Sequence, residues 1–81
     1  MAHVTIITQL TQFTGGVRTL DVEAATVQRL LRLLGERFPE LVPHLEAGVA
    51  VAIDGQIYQD ALFQDIGTDS DVHILPMIAG G

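Results

Sequence analysis

Apolar and polar residues alternate along His3-Val4-Thr5-Ile6-Ile7-Thr8-Gln9-Leu10, a stretch rich in β-branched side chains, and this predicts a first strand. Alternation sets Val4, Ile6 and Leu10 on one face and Thr5 and Ile7 on the other. Thr14-Gly15-Gly16 reads as a turn, because paired glycines accept positive φ at no steric cost. Arg18-Thr19-Leu20-Asp21-Val22-Glu23 alternates again with Leu20 and Val22 inward, so the opening segment reads as a hairpin. The period then changes. Val27, Leu30, Leu31, Leu34 and Phe38 fall on one stripe of an amphipathic helix, and Thr26 stands where a hydroxyl can cap its free N–H groups. Pro39 ends that helix near Phe38. Leu33 lies off the stripe and Gly35 is a poor helix former, so the last turn is the weakest part of the pattern.

Glu40 to Gly48, which holds Pro43, reads as a loop with one short helical turn. Val49-Ala50-Val51-Ala52-Ile53 is a strand with Val49, Val51 and Ile53 on one face, and Asp54-Gly55 is a tight-turn dipeptide leading to a short strand at Gln56-Ile57-Tyr58. Asp60 to Asp71 is polar and turn-like, with Leu62, Phe63 and Ile66 expected to pack beneath it. Val72-His73-Ile74-Leu75 is the last strand, stopped by Pro76. Hairpin, helix, strand, short strand and final strand predict an α+β fold. A mixed sheet of four to five strands carries one main helix on one face, because the hairpin cannot bury its inner side unaided. That arrangement is the β-grasp. Residues 1–76 form the expected domain and residues 77–81 a flexible tail.

Composition narrows the function. The chain of 81 residues has no Cys, which excludes disulfides, thiolate metal sites and any sulfur-carrying thiol of its own. Its net charge of −6 argues against nucleic-acid binding, which needs cations, and favours a partner with a basic surface. No signal peptide or membrane span is visible, so the expected location is the cytoplasm. Lys is absent. A chain bearing an activated acyl group benefits from having no side-chain amines, although a genome rich in G and C produces the same bias toward Arg.

The chain ends Pro76-Met77-Ile78-Ala79-Gly80-Gly81 directly after a predicted core strand. Five extended residues reach roughly 17 Å at about 3.3 Å each, enough to carry a carboxylate into another protein's active site. Two residues without side chains at the tip suit a narrow channel. An α-carboxyl group titrates at about 3.3–3.7, so at neutral pH it is an unreactive anion that needs activation, for instance as a mixed anhydride with AMP. The chain shows no triad or base arranged for that step, so partners must supply it. A frayed end or an expression remnant is the plainer reading of a bare Gly-Gly.

The sequence resembles the MoaD/ThiS sulfur-carrier family, a branch of the ubiquitin-like superfamily, over nearly its full length. The resemblance rests on Thr26-Val27 opening a Leu-rich helix, Arg37-Phe38-Pro39-Glu40-Leu41 after it, Val51-Ala52-Ile53-Asp54-Gly55, and above all Asp71-Val72-His73-Ile74-Leu75-Pro76-Met77-Ile78-Ala79-Gly80-Gly81. It implies that an E1-like enzyme adenylates Gly81 with ATP, that a sulfur donor converts the carboxylate to a thiocarboxylate, and that an acceptor synthase subunit takes the sulfur. It also implies a carrier or non-catalytic subunit with no bound cofactor. Two departures bear on the pathway. Ser70-Asp71 stands where many relatives have Gly-Asp, and Thr14-Gly15-Gly16 lacks the aromatic-Gly pattern of molybdopterin-synthase small subunits. A molybdopterin precursor is the first acceptor to consider, with thiamine thiazole, cysteine, tRNA or a secondary metabolite behind it. A ubiquitin-like modifier that transfers Gly81 to target lysines needs the same activation, and a plain binding domain with an inert tail needs none.

Strand alternation also yields a docking surface. With Val72 and Ile74 inward, His73 and Leu75 face away, as does Ile7, and together they form an open patch leading to Pro76, Met77, Ile78, Ala79 and Gly80, the residues expected to insert with Gly81. His3, His44 and His73 each stand without a paired ligand, so no metal is expected. Asp65, Asp69 and Asp71 lack the central Gly and closing Glu of a calcium loop and read as turn formers.

Overall fold

The structure, a computed structural model, describes residues 1–59 and 61–76. Five strands, β1 (Ala2–Ile6), β2 (Thr19–Val22), β3 (Val49–Ile53), β4 (Gln56–Gln59) and β5 (Asp71–Pro76), form one sheet in the order β2-β1-β5-β3-β4. β1 runs parallel to β5, with Val4 opposite Val72 and Ile6 opposite Ile74, and the remaining pairings are antiparallel. Helix α1 (Val27–Arg37) packs on one face of the sheet, followed by the shorter α2 (Val42–Ala47). This is the ubiquitin-like β-grasp that the hydrophobic pattern predicts.

The core lies between α1 and the inner face of the sheet. Val4, Ile6, Val51, Val72 and Ile74 from the strands meet Leu30 and Leu34 from α1 and Leu41 from the connection beyond it, all at 2% exposure or less. Each such side chain contributes about 1.5–3 kcal/mol through removal from water, which is how a chain with few aromatics and no disulfide holds together.

The start of α1 is built from two places in the sequence. Thr26 Oγ1 accepts from the Arg29 N–H at 3.3 Å, as the capping position predicts. The N–H groups of Val27 and Gln28 donate to Gln64 O and Leu62 O at 3.0 and 2.8 Å, so the 61–66 segment completes the cap. Because backbone partners share that duty, Thr26→Ala is expected to cost only about 1 kcal/mol. A thermal melt should show this as a fall of roughly 4–8 °C. On the solvent side Arg32 and Glu36 sit 3.8 Å apart and are largely exposed, a pair that contributes little.

Four local readings need correction. The first strand stops at Ile6, and Thr8–Phe13 forms a 3-10 helix. Leu10 N–H donates to Ile7 O at 2.9 Å, and Leu10 is buried at 4% exposure by this turn rather than by a strand. Gly15 and Gly16, both at positive φ, close that helix, and the β1–β2 connection is correspondingly long. The stretch after Phe38 is more helical than a loop: Pro39–Leu41 is a 3-10 turn running into α2. Gly35 allows the close crossing, since a Cβ there would come within 3.1 Å of Val42 Cγ2. Finally, Ile66 is buried, but Leu62 and Phe63 are 44% and 81% exposed. The turn carrying them presents its carbonyls to the start of α1, so these two side chains do not pack beneath it.

Candidate functional site: the open sheet face

β5 lies in the middle of the sheet, and its alternation decides what each side chain meets. Val72 and Ile74 are fully buried against the core, whereas His73 is exposed and Leu75 half-buried on the opposite face. Ile7 stands just beyond β1, yet its N–H donates to Ile74 O at 3.3 Å, which keeps it beside Leu75. It is half-buried and packs partly against the core, so it is a less open member of the patch than His73. The register sets Thr5 beside His73 and carries Ile7 to the level of Leu75 along the β1–β5 pair, with Ile7 packed partly against the core. Pro76 closes β5 opposite Val49. Met77, Ile78, Ala79, Gly80 and Gly81 lie outside the described residues.

The register adds residues that the sequence reading missed. Thr5 is opposite His73 on one side and Ala52 is opposite it on the other, while Ala52 faces Ile57 across the β3–β4 pair. Ile57 is 60% exposed. Its place was recoverable. Inward Val49, Val51 and Ile53 send Ala50 and Ala52 outward, and a two-residue turn at Asp54-Gly55 pairs Ile53 with Gln56 and so Ala52 with Ile57. That turn has positive φ at both residues, 49° and 88°, the type that matches strand twist and favours Asp-Gly.

Charge is unevenly placed around this face. Asp54 Oδ1 accepts from the Asp71 N–H at 2.9 Å, and the Asp54 N–H donates to Asp71 O at 2.8 Å, locking the end of β3 to the start of β5. His3 Nδ1 lies 2.6 Å from Asp21 Oδ1, and Asp69 Oδ1 lies 3.7 Å from the Met1 amino nitrogen. His44 stacks on Phe13 with ring centroids 3.9 Å apart, far in role from any ligand set. Asp65 bridges to Thr26 at the start of α1. His3 Nε2 also lies 4.0 Å from Asp69 Oδ1, and among the described residues no three His, Asp or Glu side chains converge on a metal position.

On the other side of the molecule a groove of about 420 Å³ runs between α1 and α2, lined by Leu31, Gly35, Val42, Leu45 and Leu62 with Arg32, Glu36 and Glu46 at its rim. It holds no nucleophile paired with a base.

A model of the ThiS family matches residues 4–81, all but the first three positions. The chain belongs to the ThiS family. Solved structures agree on the fold. The ThiS-family chain is similar to CysO of Mycobacterium tuberculosis (19% identity, TM-score 0.81, covering 96% of this chain and 100% of that one). It is also similar to a chain of the Amycolatopsis orientalis BexX/CysO complex (22% identity, TM-score 0.76, 100% of both chains). A third similar structure is a putative molybdopterin converting factor subunit 1 of Pyrococcus furiosus (17% identity, TM-score 0.78, 95% of this chain and 97% of that one). Among curated protein sequences there is no significant match. Within the ThiS-family fold the described helices are all too short or too polar to cross a membrane.

Proposed function

We propose that this ThiS-family protein is a sulfur carrier in which the folded body docks on partner enzymes and the Gly81 carboxylate does the chemical work. The observation that carries the proposal is where β5 ends: the central strand reaches the sheet margin at Pro76, five residues short of Gly81, with the open face beside it. Five residues at about 3.3 Å each span roughly 17 Å, enough to enter a partner's site while the body rests outside it.

In the proposed cycle a Gly81 carboxylate oxygen attacks the α-phosphorus of ATP on an E1-like enzyme, and pyrophosphate leaves. A sulfide-level sulfur nucleophile then adds to the acyl carbon and AMP departs, leaving a thiocarboxylate. On the acceptor synthase subunit the thiocarboxylate sulfur attacks an electrophilic carbon of the substrate and displaces an oxygen leaving group. Water then cleaves the acyl–sulfur bond, leaving the sulfur on the substrate and returning the Gly81 carboxylate. The carrier brings no cofactor. It supplies reach and recognition, and its partners supply acid, base and ATP. A molybdopterin precursor is the first acceptor to test, and the cysteine-forming and thiazole-forming routes come next.

The experiment is to incubate the purified chain with an E1-like enzyme of this family, ATP and sulfide, and to weigh the intact protein. Replacement of one terminal oxygen by sulfur is the expected outcome. No adenylate and no thiocarboxylate would sink the proposal. Covalent adducts of the whole chain on lysines of other proteins, in place of a free thiocarboxylate, would make it a modifier instead.

A further inference from the structure

The β2 margin of the sheet has room for another strand. Ile6 N–H donates to Arg18 O at 2.7 Å, and these two residues continue the β1–β2 register by one step. Hydrogen-bonded pairs alternate along an antiparallel ladder, so Leu20 and Val22 also direct their N–H and C=O groups at β1. Thr19 and Asp21 fall between them and aim theirs at the free margin, where no backbone partner meets them among the described residues. Beside that margin a groove of about 440 Å³ runs between β2 and α1, walled by Leu20, Val22, Leu33 and Leu34 with Glu36 and Arg37 at its lip. Leu33, off the buried stripe of α1, finds its place here as a half-buried wall residue. The other face of β2 is polar. It carries Thr19 and Asp21, both exposed, with exposed Glu23 directly after the strand.

We infer that the β2 margin binds an extended segment of a partner protein in which apolar and basic residues alternate. The segment pairs with the Thr19 and Asp21 backbone as a sixth strand. Its apolar side chains enter the groove over Leu20 and Leu33, and its basic side chains lie beside Asp21 and Glu23 on the other face. Unpaired backbone groups at two-residue spacing call for an extended chain. Alternation then sends successive side chains of that chain to two unlike faces, one apolar and one carrying carboxylates, so β2 itself sets the apolar-basic pattern. A second copy of this chain is a poor occupant, because its β2 brings the same carboxylates and the sequence has no Lys. β1 lies between this margin and β5, so binding here is independent of the chemistry of the tail.

The test titrates the full chain into the labelled peptide acetyl-Lys-Val-Lys-Ile-Lys-Val-Lys-amide, read by fluorescence anisotropy, with amide NMR shifts to locate the site. Saturable binding that shifts Thr19–Val22 and Leu33 is the expected result. A peptide of the same composition in blocks, Lys-Lys-Lys-Lys-Val-Ile-Val, keeps the charge but cannot alternate, and should bind about tenfold more weakly. Thr19→Pro removes one margin N–H at the first residue of an edge strand, where proline is tolerated, and should weaken binding about tenfold with little change in the thermal melt. Asp21→Lys combined with Glu23→Lys should reverse the preference, so that the peptide with Glu in place of every Lys binds better. Equal binding of the alternating and block peptides, or binding that Thr19→Pro leaves unchanged, would overturn the inference by reducing it to general attraction between opposite charges. An absence of binding would overturn it, as would self-association that Thr19→Pro abolishes, which gives the margin to a second copy of the chain. Should Thr19→Pro fail to fold, the charge-reversed variant decides, and an unreversed preference overturns the inference. None of these outcomes alters whether Gly81 is activated.

Discussion

Deleting Gly81 is expected to lower adenylation more than about 100-fold while leaving the thermal melt unchanged. The deletion keeps a carboxylate and keeps the chain's charge, so only its position changes, by about 3.3–3.6 Å. A misplacement of about 1 Å at a reacting centre already costs on the order of 10²-fold, and the activating enzyme cannot shift its ATP to follow. Gly80→Val complements this test. It preserves the length and adds bulk at the tip, and it should fail for a different reason, the width of the channel. A binding domain with an inert tail would show neither loss. The two variants therefore separate reach from girth, and pyrophosphate exchange measures both.

The second large effect is on stability. Leu34, fully buried in the middle of α1, meets the inner face of the sheet. Leu34→Ala should cost about 2–5 kcal/mol from lost transfer energy and the cavity left behind. A domain of this length has a total stability of roughly 4–12 kcal/mol, at about 0.05–0.15 kcal/mol per residue. A loss of about 3 kcal/mol lowers the melting temperature by roughly 12–24 °C. Chemical denaturation at 15–25 °C should show the same loss at an unchanged m-value. If the tail chemistry is separate from the core, as proposed, the surviving folded fraction at low temperature should be adenylated at the normal rate.

Much of the fold can be read from period alone. The stripe through Val27, Leu30 and Leu34 and the alternation in Val49–Ile53 and Val72–Leu75 locate α1, β3 and β5 within a residue or two. These elements bury one face against a shared core, so packing and pattern agree. Where they parted, a local choice was made by something distant. Leu10 is even-spaced from Val4 and Ile6, which suits a strand, but it also lies three residues after Ile7, which suits a 3-10 turn. Spacing cannot rank the two. Phe63 reads as core material by composition, yet its turn is committed to supplying carbonyls for the α1 N-terminus, a demand set nearly forty positions earlier in the chain.

The outward face of the sheet was legible to the extent that it lies on β5. His73 and Leu75 follow from alternation within one strand. Ala52 and Ile57 require knowing that β3 is the neighbour of β5 and that β4 is paired through a two-residue turn. Small side chains also give little sequence signal: Ala52 contributes only a methyl group between His73 and Ile57. Ile57 in a four-residue edge strand looks like one more β-branched residue until its 60% exposure is seen.

The parallel pairing of β1 with β5 has a practical consequence. Ala2 and Asp71 mark the same margin of the sheet, and Pro76 marks the other, about 17 Å along β5. A fluorophore, biotin or immobilisation handle attached at Met1 is therefore carried on the side remote from Pro76, leaving the approach to the last five residues clear for enzymes. The same handle attached at position 81 would occupy the one group whose reactivity is in question.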